Sequence, residues 1–184
     1  VWPPASEMTM NSEHDNMLDE ALAARQRTSR AIVDVDEPQI KLVIFRLLDR
    51  YFAFPGSSIK EVISGATEVF YIPGMHASVE GVMNLRGDIQ SVLTLNGLLQ
   101  LSDSDARING RAILLGSGAG LQTGIRIDQL LDVADVPRSL LKPPIDSLPD
   151  HLKPLVSALF EFDGLPVTLL DLDIVLQAWQ QQIS

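Results

Sequence analysis

At 184 residues, with 46% apolar and 21% charged residues, the chain is long enough for a sizeable hydrophobic core and ordinary in composition for a globular protein. A formal net charge of −10 argues against nucleic acid, whose phosphates call for Lys/Arg-rich surfaces. With no cysteine, disulfides, thiolate nucleophiles and cysteine metal sites are excluded, and no apolar run reaches the roughly 20 residues of a membrane span.

The opening VWPPASEMTM lacks an initiator Met and both the charged and the apolar regions of a signal peptide, which suggests an internal cut in a longer protein. Residues 1–12 are expected to be unstructured. A helix is expected from Glu13 to about Ala31, capped by Ser12, with Asp15, Asp19 and Glu20 early and Arg25, Arg27 and Arg30 late, as the helix dipole favours. Its narrow apolar face (Met17, Leu18, Ala21, Leu22) suits a linker helix or a helix that meets a partner. Asp34–Pro38 (DVDEP) then marks a boundary. It divides the chain into an extension or linker, 1–38, and a folded domain, 39–184.

Beyond Gln39 the pattern turns to strands. Ile40–Leu48 and Tyr51–Phe54 flank Asp49-Arg50 as a hairpin, and short apolar runs recur at 69–72, 82–85, 89–95, 111–115, 124–127, 157–162 and 165–170. Turn signals stand at Pro73-Gly74, Arg86-Gly87, Gly116–Gly120 and Asp163-Gly164. Many short strands at this spacing predict an all-β barrel or sandwich, with short helices near 59–63, 96–101 and 174–182.

The sequence also repeats itself. With Gly87 set on Gly164, Val92-Leu93-Thr94-Leu95-Asn96 falls without a gap on Leu169-Leu170-Asp171-Leu172-Asp173. With Ala53 set on Gly124, Ile59, Glu61 and Val62 fall on Leu130, Asp132 and Val133. Both matches run in the same order, so two similar β units are expected rather than one large sandwich.

Few residues offer catalytic chemistry. GSGAG (Gly116–Gly120) lacks a following helix N-terminus and a Gly-Lys-Ser/Thr, so it is expected to be a hairpin loop rather than a phosphate cradle. Asp171 and Asp173 would share a strand face as a carboxylate pair, but Asp173 stands where the last helix needs an N-cap. Asp103 and Asp105 belong to a polar loop, and His14, His76 and His151 share no metal-ligand spacing. Trp179 and Leu176 are expected in the core. No cofactor or metal is expected. Arg86 has two readings: a solvent-facing turn residue, or a guanidinium fixed by a carboxylate and offered to a partner.

GVMNLRG (Gly81–Gly87), followed by a strand ending Leu93-Thr94-Leu95, resembles the GVxNLRGxxxPVxDL core of CheW-like domains, the coupling proteins of bacterial chemotaxis. IKLVIFRLLDRYFAFPGSSIKEVI is similar to the family's opening hairpin and Val/Ile-x-Glu-Val/Ile segment, and Tyr71-Ile72-Pro73 to its stretch before NLRG. GIRIDQLLDVADVP resembles its Gly-x-x-Val-Asp-x-Val-x-Glu-Val strand, and LLDLDIVL its closing strand and helix. Ser91, Thr94 and Asn96 depart from the pattern. The resemblance covers about 39–184. It implies two intertwined five-stranded SH3/OB-like β-barrel subdomains around a shared core, and no catalysis. It further implies a cytoplasmic adaptor at membrane-associated arrays, binding the regulatory domain of a CheA-type histidine kinase and the cytoplasmic tip of chemoreceptors, without inserting into membrane. Glu61 and Arg86 would pair beside a partner groove, with Val62, Gly81, Asn84, Leu85 and Gly87 around them. Two other readings stand beside this: a CheW-like end piece of a larger protein that positions arrays at the cell pole through a polar partner, and a small-molecule sensor.

Overall fold

The computed structural model describes residues 37–102 and 111–184. The helix expected at 13–31, the unstructured start and the loop holding Asp103 and Asp105 lie outside the described residues. Among the described residues there are ten strands: β1 (Gln39–Leu47), β2 (Arg50–Pro55), β3 (Ile59–Ser64), β4 (Val79–Leu85), β5 (Asp88–Leu93), β6 (Ala112–Gly118), β7 (Leu121–Ile127), β8 (Gln129–Pro137), β9 (Val156–Phe162) and β10 (Leu165–Leu170), followed by helix α1 (Leu172–Ile183). They form two five-stranded sheets, ordered β8-β1-β2-β10-β9 and β3-β6-β7-β5-β4.

The sequence repeat corresponds to β1–β5 and β6–β10, and the register preserves it. The parallel pair β2–β10 sets Leu169 against Ala53; the parallel pair β5–β7 sets Val92 against Gly124, the residues that the sequence alignment equates. The irregularities repeat as well. The β1–β8 ladder slips between Ile44 and Phe45, opposite Asp132 and Leu130, and the β3–β6 ladder slips between Glu61 and Ile59, the equivalents of those two residues. The β4–β5 and β9–β10 ladders slip at Val79/Gly81 and at Val156/Ala158. The repeated stretch is nevertheless not the unit in space. Each sheet takes two strands from one half and three from the other, so the halves are intertwined.

This exchange explains the unbroken apolar runs. In β1, Leu42 and Ile44 point into a small core enclosed by the first sheet, while Val43, Phe45 and Leu47 point into a larger core shared by both sheets. In β6, Ile113 and Leu115 face the second sheet's own core, and Ala112 and Leu114 face the shared one. Strands buried on both faces lose the alternation of half-buried ones. Gly124 lacks a side chain because a Cβ there would stand 2.7 Å from Ile113 Cγ2 and 3.2 Å from Met83 Cε.

Three local expectations are corrected. Residues 59–63 form strand rather than helix: Glu61 and Ile63 share one face, a bulge turns Ile59 to the shared core on the other, and β6 offers an open edge. The run 69–72 contributes a single residue, Phe70, which exchanges both backbone hydrogen bonds with Val82 (2.7 and 2.9 Å) and covers the edge of β4. Residues 96–101 make helix-like turns closed by Leu99 N–H to Leu95 O and Leu101 N–H to Asn96 O, without extending into a regular helix. Strand β8, absent from the apolar-run pattern, has exposed or half-buried residues at most positions because it forms a sheet edge.

α1 fastens the two sheets together. It leaves β10 of the first sheet, buries Leu172, Val175, Leu176 and Trp179 in the shared core, and sends the Trp179 indole N–H to the Ser78 hydroxyl beside β4 of the second sheet (2.7 Å). Ser78 in turn meets His76 Nδ1 through its hydroxyl (2.7 Å) and its N–H (3.2 Å), and its carbonyl accepts from Thr94 N–H (2.8 Å). With the N–H aimed at it, Nδ1 is the acceptor and the hydroxyl donates to it. Trp179→Phe removes the indole donor from this buried chain and is expected to lower the unfolding free energy by about 1–3 kcal/mol in urea titrations.

Candidate protein-interaction site

The hairpin between β4 and β5 turns on Arg86 and Gly87, both with positive φ (53° and 95°). Two such residues make the tight hairpin turn that matches strand twist, a position favouring Asn, Asp and Gly. Asn84 Oδ1 accepts from Gly87 N–H at 2.9 Å and holds the turn. The guanidinium of Arg86 reaches Glu61 on β3, with Nη1 donating to Oε2 at 2.9 Å and Nη2 to Oε1 at 2.8 Å. Since β3 and β4 are opposite ends of the sheet order, this pair forms only because the sheet curls. The hydrogen bonds to Glu61, then its charge, raise the Arg86 pKa above the ordinary arginine value.

Exposure separates this pair from a second one nearby. Arg86 and Glu61 side chains are 73% and 31% exposed, so the pair orients the hairpin more than it stabilises the fold. Arg126 on β7 donates to Glu80 on β4 through Nε (2.8 Å) and Nη2 (2.5 Å), and its side chain is only 11% exposed. That pair is a strut within the second sheet.

Antiparallel partners share a sheet face. Asn84 lies opposite Ile89 and Val82 opposite Ser91, while Phe70 bridges Val82, so Phe70, Val82, Asn84 and Ile89 project from one face beside the Arg86 turn. Ile89 is 66% exposed and Phe70 51%, and Tyr71, Ile72 and Met75 follow as exposed apolar residues. Val62, next to Glu61, is exposed too. Leu85 is half-buried against the core of the second sheet. Gly81 is buried, and its role is steric: a Cβ would meet the Phe70 carbonyl oxygen at 2.3 Å. The sequence reading missed Phe70, Tyr71 and Ile89, because apolar residues in a strand-like run signal burial unless the sheet edge is known.

The other motifs are accounted for elsewhere. GSGAG ends β6 and turns at Ala119-Gly120 (φ 50° and 74°) directly into β7, as a hairpin loop. The helix cap is Asp171 rather than Asp173: Asp171 Oδ1 accepts from Ile174 N–H at 3.2 Å. Asp173 lies inside the first turn of α1, and its Oδ1 accepts from Ala119 N–H at 2.7 Å, over a glycine, Gly118, whose Cβ would stand 2.8 Å from that oxygen. His151 Nε2 faces the Leu99 carbonyl. Among the described residues no three His, Cys, Asp or Glu side chains gather as a metal site, and no helix is long and apolar enough to cross a membrane.

These features define a class: a duplicated, strand-exchanged pair of five-stranded β units, with an ion-paired arginine hairpin on one unit. A family model described as the CheW-like domain matches residues 41–180, and the chain belongs to that family. The chemotaxis protein CheW of Thermotoga maritima is 24% identical over 139 residues, covering 76% of this chain and 89% of that protein. CheW of Rhizobium meliloti is 22% identical over 144 residues, covering 78% and 92%. Among solved structures, the scaffolding protein TtCheW from Thermoanaerobacter tengcongensis matches with a TM-score of 0.66 at 20% identity, over 75% of this chain and 92% of that one, a likeness of fold.

Because Gly81 lets Phe70 dock on β4, Gly81→Ala is expected to destabilise the protein by about 1–3 kcal/mol, read as a lower urea midpoint.

Proposed function

We propose that this chain is a non-catalytic adaptor of bacterial chemotaxis, which couples chemoreceptors to a CheA-type histidine kinase at the cytoplasmic side of a receptor array. The family supports the adaptor role. The observation that carries the choice of site is the face of the second sheet on which Phe70, Asn84 and Ile89 stand beside the exposed Glu61–Arg86 pair. Exposed apolar side chains around a fixed polar group are the anatomy of a protein-binding surface. In this reading residues 39–184 are the binding domain, 1–38 are an extension or linker, and Glu61, Val62, Asn84, Arg86 and Gly87 line the contact. Its partners are the kinase regulatory domain and the receptor's cytoplasmic tip.

The test is titration calorimetry of the chain against each of those two partners from the same cell. Wild type is expected to bind at least one. Ile89→Asp is expected to weaken that binding about tenfold or more with an unchanged melting temperature, since the side chain is solvent-facing. Wild-type affinity in Ile89→Asp would remove this face from the contact.

A further inference from the structure

The internal repeat supplies a control for Arg86. In the second half, the positions equivalent to Glu61 and Arg86 are Asp132 and Asp163, and Asp163-Gly164 makes the same turn with φ 49° and 76°. Aspartate is an ordinary residue at that left-handed position, whereas arginine there carries backbone strain. The equivalent β9–β10 hairpin of the first sheet thus folds without an arginine, and arginine at position 86 is not a requirement of the architecture. A turn side chain that the fold does not dictate is free to serve function.

Hydrogen-bond geometry narrows that function. A guanidinium offers five N–H donors in a plane, and a carboxylate can take a pair of them along more than one edge. Glu61 occupies the end formed by Nη1 and Nη2. The side formed by Nε and the adjoining Nη hydrogen has no acceptor among the described residues, and the side chain is 73% exposed. Arg126 is the opposite case, with that same side closed by Glu80 in a largely buried setting. Asn84 adds to the donors: its Oδ1 is held by Gly87 N–H, so its amide NH2 is directed away from the turn. The turn therefore presents donors, set beside Ile89 and Phe70.

We infer that this face recognises an acidic side chain flanked by apolar ones on the partner, the carboxylate binding side-on to the Nε edge of Arg86 that Glu61 leaves open. The inference rests on the adaptor reading above and specifies the chemistry of its contact. Two coplanar oxygens match the arginine fork, which a lysine cannot reproduce. The chain's net charge of −10 repels an acidic partner at long range. Recognition is thus confined to contact distance, where Ile89 and Phe70 exclude water from the pair.

The experiment measures binding of the kinase regulatory domain and of the receptor tip to wild type, Arg86→Asn and Arg86→Lys, each with a melting curve. Arg86→Asn places a residue suited to positive φ in the turn, so it is expected to melt at or above the wild-type temperature and still bind about tenfold more weakly. Arg86→Lys keeps the charge without the fork and is expected to lose affinity to a similar degree. If Arg86→Lys binds like wild type, a point charge suffices and the carboxylate fork is overturned. If Arg86→Asn binds like wild type while Ile89→Asp does not, the face stands and this inference alone falls. If wild type binds neither partner, the adaptor reading falls and the inference with it.

Discussion

Everything in this domain depends on β1 and β6 being buried on both faces. Each of these strands contributes one row of side chains to the core of its own sheet and the other row to the core between the sheets. Phe45, Phe52 and Phe54 fill that shared core from the first sheet, with ring centroids 6.2 Å and 5.1 Å apart along the contact. Leu93, Leu114 and Ile125 meet them from the second sheet, and α1 covers the junction. Along Leu42–Phe45 and Ala112–Leu115 no polar residue stands on either side, which leaves function to the edges and the turns.

The contrast between the two halves follows from that constraint. Core positions and bulges agree between β1–β5 and β6–β10 because a one-residue slip would turn a buried row outward. The surface positions are released from this demand. Glu61 and Arg86 face Asp132 and Asp163 across the repeat, Asn84 faces Glu161, and the hairpin tips have diverged while the ladders beneath them have not. Specificity sits on the part of the duplicated unit that packing does not dictate.

How much of this was legible in sequence varies with the kind of interaction. The equivalence of the halves was legible, because the Gly87/Gly164 and Ala53/Gly124 alignments carry the Ala53–Leu169 pairing onto the Gly124–Val92 pairing. The ion pair was legible through the resemblance of Gly81–Gly87 and the Glu61 segment to family motifs, and the structure places both side chains in contact. The exchange of strands between halves was not legible from the repeat, since an alignment equates residues without saying whose neighbours they become. β3 was mistaken for helix because six residues are too short for periodicity to decide. The cap is Asp171 because the helix starts at Leu172, earlier than expected, and Asp173, inside the first turn, meets the distant Ala119 N–H, a donor of which local propensity carries no record.

The exchange has one more consequence, for how such a domain carries load. Neither sheet is continuous with a single half of the chain, and α1 ties the first sheet to Ser78 at the second. The second sheet is the unbroken stretch β3–β7, set between β1–β2 and β8–β10 of the first, so the chain crosses between the sheets twice and no single cut frees either one. A molecule gripping the Arg86 face is therefore attached through backbone hydrogen bonds to both halves of the sequence. The domain behaves as a bracket rather than as two beads on a string, and the angle between whatever it holds is set by strand topology instead of by a linker.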